Sequence, residues 1–338
     1  MKKKWWGFIS LIIIAVLVYL VLRKINFIEV RLLLHYAKPL YLLLAVLAMF
    51  LTFIVWAFRW TIFFGPLFKG DFWFLLSVLF AGSFFNSITP GAGVGGEPFR
   101  AHFLSKRYKQ SKVKMLAYVL GDKFFQLILL ALFGVFSIFF VFIYVNISNT
   151  LKYILEGVLL VVLSLIGLAV YLLLKKSHYN LGSFLKKLHF FEFIKKRFET
   201  QEELEKYINH KIKLFTKIFR SVVVTKKNLI IGFSLSLIFW MLIYLTSYFI
   251  FLAFGYHINF LSVIVVVTLG NLVGDLSLVP SGIGIVEISM TLLYSAMGIF
   301  PPLALLAAVF SRLIYYIFSI GVGGFSLLHV RRVTNGKK

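Results

Sequence analysis

Cysteine is absent from the 338-residue chain, which excludes a disulfide framework, a thiolate metal site and a cysteine nucleophile. Charge is scarce. Only 14% of residues are Asp, Glu, Lys or Arg, against about a quarter in a soluble domain. With 61% hydrophobic residues, that shortage excludes an ordinary soluble globular protein, a disordered chain and a collagen-like one. What remains is a polytopic membrane protein, and at about 20 apolar residues per span the length allows about seven to nine spans. No Ser/His/Asp set, HExxH sequence or Walker motif occurs, and the histidines lack metal-ligand spacing. Neither a cofactor nor a metal is expected.

Acidic residues are the rarest charge, 12 against 36 Lys and Arg, for a net charge of +24. Basicity of this size raises the question of nucleic acid, and its distribution argues against it. Residues 2–4, 100–114, 175–228 and 331–338 hold 27 of the 36 basic residues. Basic clusters at the ends of apolar runs are the mark of cytoplasmic loops and a contact surface for anionic lipid. The location expected is the cell membrane, multi-pass, with both termini cytoplasmic.

Lys2-Lys3-Lys4 followed by the apolar run Trp5–Leu22 reads as a retained first span, longer than a signal-peptide core and without its cleavage site. Pro39 opens a second span to about Phe64, carrying Arg59. A third apolar segment starts near Phe72 and runs into a Gly/Pro tract at 90–96. A long span follows from Met115 to about Val145, then another at 153–174. Residues 175–228 are polar, with a capping box at Thr200–Glu203 and a helical apolar stripe at Leu204, Ile208, Ile212, Phe215 and Phe219. That stripe suits either a helix lying on anionic lipid or a loop helix packed on the bundle. Segments 229–253, 260–279, 285–299 and 303–328 complete the membrane part, with a second Gly/Pro break at 280–284. The whole reads as one integral membrane domain, 1–338, with repeat-like halves at about 40–145 and 229–328 and a cytoplasmic basic loop between them.

The halves share a pattern. With an offset of 190, Ser87 falls on Ser277, Pro90 on Pro280, Glu97 on Glu287 and Asp122 on Arg312. With the basic segments cytoplasmic, residues 72–105 must enter and leave from the cytoplasmic side and 260–299 from the outer side, each as a re-entrant hairpin or a pair of spans. Arg23, Lys24, Arg31 and Lys38 lie outside in this scheme, against the charge rule. The fold class expected is an all-α polytopic membrane helix bundle of two inverted repeats with two Gly/Pro-broken, re-entrant or discontinuous helices, the plan of many transporters. Irregular backbone at membrane depth is tolerated where protein or a wet cavity surrounds it.

The strongest local signal is Pro90-Gly91-Ala-Gly93-Val-Gly95-Gly96-Glu97-Pro98-Phe-Arg100. Glycines there allow close backbone approach, and free N–H groups at the following helix start suit an anion, with Arg100 as a bidentate helper. A structural turn capped by Glu97 is the plainer alternative. Glu97, Asp122, Lys123, Asp275, Glu287 and Arg312 lie in or beside membrane segments, where an isolated charge costs about 2.5–3.5 kcal/mol on insertion scales. Asp122 and Lys123 are adjacent and need separate partners. Symmetry between the halves suggests that Asp122 pairs with Arg312, and buried ion pairs that only fix helix register explain these residues as well as transport does.

Pro90–Arg100, Asp122-Lys123, Pro280–Glu287 and Arg312 together make the chain resemble the transmembrane, flippase-like region of lysylphosphatidylglycerol synthases and the stand-alone proteins built from that region. The likeness covers roughly residues 5–330. Where the family often has Pro-Gly-Gly-x-Gly and an Arg before the Glu, this chain has Pro280-Ser-Gly282-Ile-Gly284 and Val286. The resemblance implies movement of a polar lipid between leaflets, the partners being membrane lipids, anionic or aminoacylated phospholipids among them. In full-length synthases a soluble tRNA-dependent transferase domain follows. The 338 residues leave no room for it, so lysine transfer is not expected. In this reading the glycine-rich tips and Arg100 bind a headgroup phosphate, while Glu97, Glu287 and Asp122 meet a cationic headgroup or balance buried arginine. A lipid-modifying membrane enzyme using Glu97 or Asp122 as acid/base, and a scaffold without turnover, are the rival classes. A homo-oligomer is compatible with the sequence.

Overall fold

The computed structural model describes residues 35–65, 70–89, 95–145, 147, 149–174, 201–277 and 279–335. The expected first span, the tract residues Pro90, Gly91 and Gly93, the segment 175–200 and the last three residues lie outside them. The described residues form helices and no strand. In chain order these are α1 (Pro39–Phe64), α2 (Phe72–Ile88), α3 (Gly96–Tyr108), α4 (Lys112–Tyr144), α5 (Asn149–Leu174), α6 (Gln201–Val224), α7 (Lys226–Ala253), α8 (Phe260–Leu276), α9 (Ile285–Ala296), α10 (Pro301–Tyr316) and α11 (Gly323–Thr334). A 3-10 turn, Pro280–Gly282, precedes α9, and a π-helical turn, Ile317–Val322, joins α10 to α11 without a break.

Local chemistry sets the starts. Pro39 and Pro301 occupy first-turn positions where a missing N–H costs nothing. Ser111 Oγ accepts from Lys114 N, and Asn259 Oδ1 from Leu261 N, so α4 and α8 begin with side-chain caps. Among the described residues four helices are long and apolar enough to cross a membrane: α1, α4, α7 and the continuous Pro301–Thr334.

Apart from α5, which packs on α4, the remaining apolar helices come as two broken pairs. α2 packs on α3, and α8 on α9. At 13 and 12 residues, α3 and α9 reach about 20 and 18 Å, short of the roughly 30 Å hydrocarbon core. The first pair opens where Asp71 meets Arg107 at 3.4 Å and Lys106 meets Asn335, just past α11, at 3.3 Å. The second opens beside the end of α7, where Tyr248 packs on Phe260 and Phe251 on Tyr294 with ring centres 5.4 and 4.9 Å apart. From there the 34-residue helix beginning at Pro301 runs about 50 Å to Asn335. The mouths of the two pairs therefore lie at opposite ends of the bundle. Their broken tips converge, since α2 contacts the Pro280–Gly282 turn.

Helix α6 decides between the two readings of its apolar stripe. Leu204 and Ile208 are buried, Phe219 packs edge-on against Phe124, and the helix lies along α4. Its apolar face is spent on the bundle, and Lys206, Lys213 and Lys217 stay exposed. The capping residue Thr200 lies outside the described residues.

Candidate functional site

Between the two tips lies a cavity of about 210 Å³. Both broken pairs and the long helices wall it. Glu97 and Arg100 come from α3, Lys123 from α4, Asp275 from α8, Gly282 from the 3-10 turn and Arg312 from α10.

On the α3 side, Glu97 and Arg100 are each 1% exposed. Arg100 Nη1 donates to Glu97 Oε1 at 3.2 Å, and Lys123 Nζ donates to the same oxygen at 2.9 Å. Arg100 Nη2 also reaches Ser83 Oγ at 3.1 Å and the Leu79 carbonyl at 3.4 Å. Its guanidinium lies 4.5 Å from the centre of the Trp56 ring, a favourable placement of a cation over an aromatic face. Two cations thus share one carboxylate, and Glu97 Oε2 is buried without a hydrogen-bond partner among the described residues. Glycine is required where the backbones of α2 and α3 meet. Gly96 lies against the Gly82 carbonyl, where a Cβ would collide, and its N–H donates to Asn86 Oδ1 at 2.5 Å. Close backbone contact between α2 and α3, with an asparagine taking the first N–H of α3, is what Gly96 provides.

The α9 side repeats the plan with other atoms. Glu287, in the first turn of α9, accepts from Gly284 N at 2.8 Å and lies 3.6 Å from Arg312 Nε. Tyr316 OH donates to Glu287 Oε1 at 3.2 Å, and Arg312 donates to Tyr316 OH at 3.1 Å. Arg312 also donates to the Ser281 carbonyl. Ser281 has φ 53°, a left-handed conformation disfavoured for a residue with a Cβ, and this conformation belongs to the turn whose carbonyl Arg312 binds.

Asp122 does not pair with Arg312, contrary to the symmetry argument. Arg59 Nε donates to Asp122 Oδ1 at 2.5 Å, Trp56 Nε1 donates to Asp122 Oδ2 at 2.7 Å, and Arg59 also donates to Ser236 Oγ. The reason is helical geometry. Trp56 and Arg59, three residues apart on α1, share a face and meet Asp122 across the α1–α4 contact, while the neighbouring Lys123 turns to Glu97. Arg59 and Asp122 are 0% and 1% exposed, so each charge is compensated inside the bundle.

Of the sequence-predicted residues, Glu97, Arg100, Lys123, Gly282 and Arg312 line the cavity. Asp122 and Glu287 stand behind it, holding arginines. Gly95, Gly96, Pro280 and Gly284 shape the two turns. The residues that sequence reasoning left out are partners at helical spacing, Trp56 three before Arg59 and Tyr316 four after Arg312, and polar residues of the walls, Ser83, Asn86 and Asn271. Asp275 was visible as a charge in an apolar run but carried no assigned role. Among the described residues no three His, Cys, Asp or Glu side chains gather as a metal-ligand cluster.

Residues 7–323 match the family described as Lysylphosphatidylglycerol synthase TM region. Similar proteins include a UPF0104 membrane protein of Pyrococcus horikoshii, 29% identical over 87% of this chain and 88% of its own. A UPF0104 membrane protein of Methanothermobacter thermautotrophicus is 28% identical over 83% and 82%, and one of Methanocaldococcus jannaschii is 26% identical over 97% and 94%.

Proposed function

Starting from a chain that belongs to the lysylphosphatidylglycerol synthase TM family, we propose that this membrane protein moves a polar lipid between leaflets, passing the headgroup through the cavity while the acyl chains stay in the hydrocarbon. The observation that carries the reading is the convergence of two broken helix pairs, open at opposite ends, on one charged cavity walled by Glu97, Arg100, Lys123, Asp275 and Arg312. A charged side chain at membrane depth is costly, and these are placed where a polar group crossing the bilayer would otherwise have no partner.

The offset of 190 between Glu97 and Glu287, each in the first turn of a short helix after a break, supports reading the halves as inverted repeats. Alternating access then amounts to rocking one half against the other around the shared cavity. Residues 100–114 and 331–335 gather at one end of the bundle through the Lys106–Asn335 contact, which supports placing that end and the C-terminus on the cytoplasmic face of the cell membrane. No nucleotide-binding motif is present in the sequence, so movement would be passive or ion-coupled. The lipid-modifying alternative lacks support from the geometry, because Glu97 and Asp122 are both engaged by internal cations.

Reconstitution tests the reading. Proteoliposomes with a headgroup-labelled phospholipid should exchange it between leaflets faster than empty vesicles, and Glu97→Gln and Arg100→Ala should slow the exchange. Equal rates in wild type, both variants and empty vesicles would contradict it.

A further inference from the structure

Besides Asp122, which Arg59 and Trp56 hold, three carboxylates stand in this region within apolar segments, and two are accounted for. Glu97 takes two cations, and Glu287 takes Arg312, Tyr316 and the N–H of Gly284. Both lie in first turns, at the positive end of a helix. Asp275 is different on each count. It lies in the last turn of α8, at the negative end of a helix dipole, where an acid is unfavourable and a cation favourable. It lines the cavity, is exposed to it, and makes no hydrogen bond or ion pair that the described residues show. Asn271, one turn earlier on the same helix face, lines the cavity too. Its Nδ2 is spent on the Val267 carbonyl, leaving Oδ1 as a second oxygen acceptor beside the carboxylate.

The charged groups facing Asp275 are Lys123, Arg312 and Glu97. Lys123 is held by Glu97, and Arg312 by Glu287. The cavity is therefore split. Arg100 and Lys123 meet at the Glu97 carboxylate on the α3–α4 wall, and Asp275 is a carboxylate on the α8 wall. The buried Glu97 Oε2 is a second polar atom in the cavity wall without a hydrogen-bond partner among the described residues.

We infer that Asp275, with Asn271, is a binding site for a positively charged group, and that the cavity takes its occupant at two poles, an anionic phosphate at Arg100 and Lys123 and a cation at Asp275. This rests on the transport reading for its purpose but not for its chemistry. The cation has two sources, an ammonium carried on the same lipid headgroup or a free monovalent ion that accompanies an anionic one.

Equilibrium binding to the full-length protein in detergent separates these, with water-soluble short-chain phosphatidylethanolamine and phosphatidylglycerol as probes. If the cation is on the headgroup, wild type binds the ethanolamine lipid more tightly, and Asp275→Asn weakens that binding about tenfold while leaving the glycerol lipid unchanged. If the cation is free, sodium or potassium salts tighten phosphatidylglycerol binding relative to choline salts, and Asp275→Asn removes that dependence. Asp275→Glu should retain whichever behaviour wild type shows, and an unchanged unfolding midpoint confirms that both variants are folded. An Asp275→Asn protein with wild-type lipid preference and wild-type salt response overturns the inference. Binding as expected without leaflet exchange in vesicles would instead contradict the transport reading alone.

Discussion

Arg59 Nε lies 2.5 Å from Asp122 Oδ1 with neither side chain more than 1% exposed, and this pair joins α1 to α4 behind the cavity. Such a pair holds helix register, and removing one partner leaves a bare charge in a low-dielectric interior. Arg59→Met or Asp122→Asn alone should therefore lower stability by about 3–5 kcal/mol, and the double change Arg59→Met with Asp122→Leu should recover most of it. Unfolding midpoints in detergent measure this. The reversal Asp122→Arg with Arg312→Asp should show no such recovery, because those residues do not meet.

Gly96 abuts the Gly82 carbonyl, so Gly96→Ala must push α3 off α2. The expected loss is about 1–3 kcal/mol, as for other overpacked sites. Gly157→Ala, on an α5 face with no neighbour within 4 Å, should be neutral or stabilising by up to about 1 kcal/mol. Parallel thermal scans of the two variants give the comparison.

Ser281 holds a left-handed backbone with φ 53°, a conformation that glycine adopts without steric cost. Ser281→Gly should raise stability by about 1 kcal/mol through relief of that conformation. The Ser281 carbonyl, which takes the Arg312 hydrogen bond, is retained. Ser281→Val should lower the midpoint.

Helix α6 is anchored by Leu204 and Ile208, 3% and 6% exposed. Ile208→Asp should release it from α4 and expose residues 201–224 to limited proteolysis, whereas Lys213→Gln on the exposed face should leave the digestion pattern unchanged.

Much of the architecture was legible because the physics behind it is local. Pro39 marks a helix start, the apolar runs from Met115, 229, 260 and 303 locate helices to within a few residues, and the Gly/Pro tract at 280–284 marks a break. The pairing of charges was not legible. The offset placing Asp122 on Arg312 is real in the sequence, yet contact depends on which helix faces α4, and that is set by the packing of α1 against α7. A local rule was available and unused, since Trp56–Arg59 and Arg312–Tyr316 stand three and four residues apart and so share faces. The stripe named the face that α6 buries, but what that face packs against was equally beyond the sequence, because a stripe of leucine, isoleucine and phenylalanine satisfies lipid and protein alike. Asp275 was visible only as a charge out of place, and its meaning came from the partners its neighbours had already taken.

The route through the cavity can be tested by blocking it. The chain has no cysteine, so a single thiol at Ile243, a half-buried wall residue on α7 outside the ion pairs, is a unique target for a bulky maleimide. Leaflet exchange of a headgroup-labelled phospholipid in proteoliposomes of Ile243→Cys should match wild type before alkylation and fall to the empty-vesicle rate after it, with wild type unaffected by the reagent. Full exchange by the fully alkylated protein would contradict passage through this cavity.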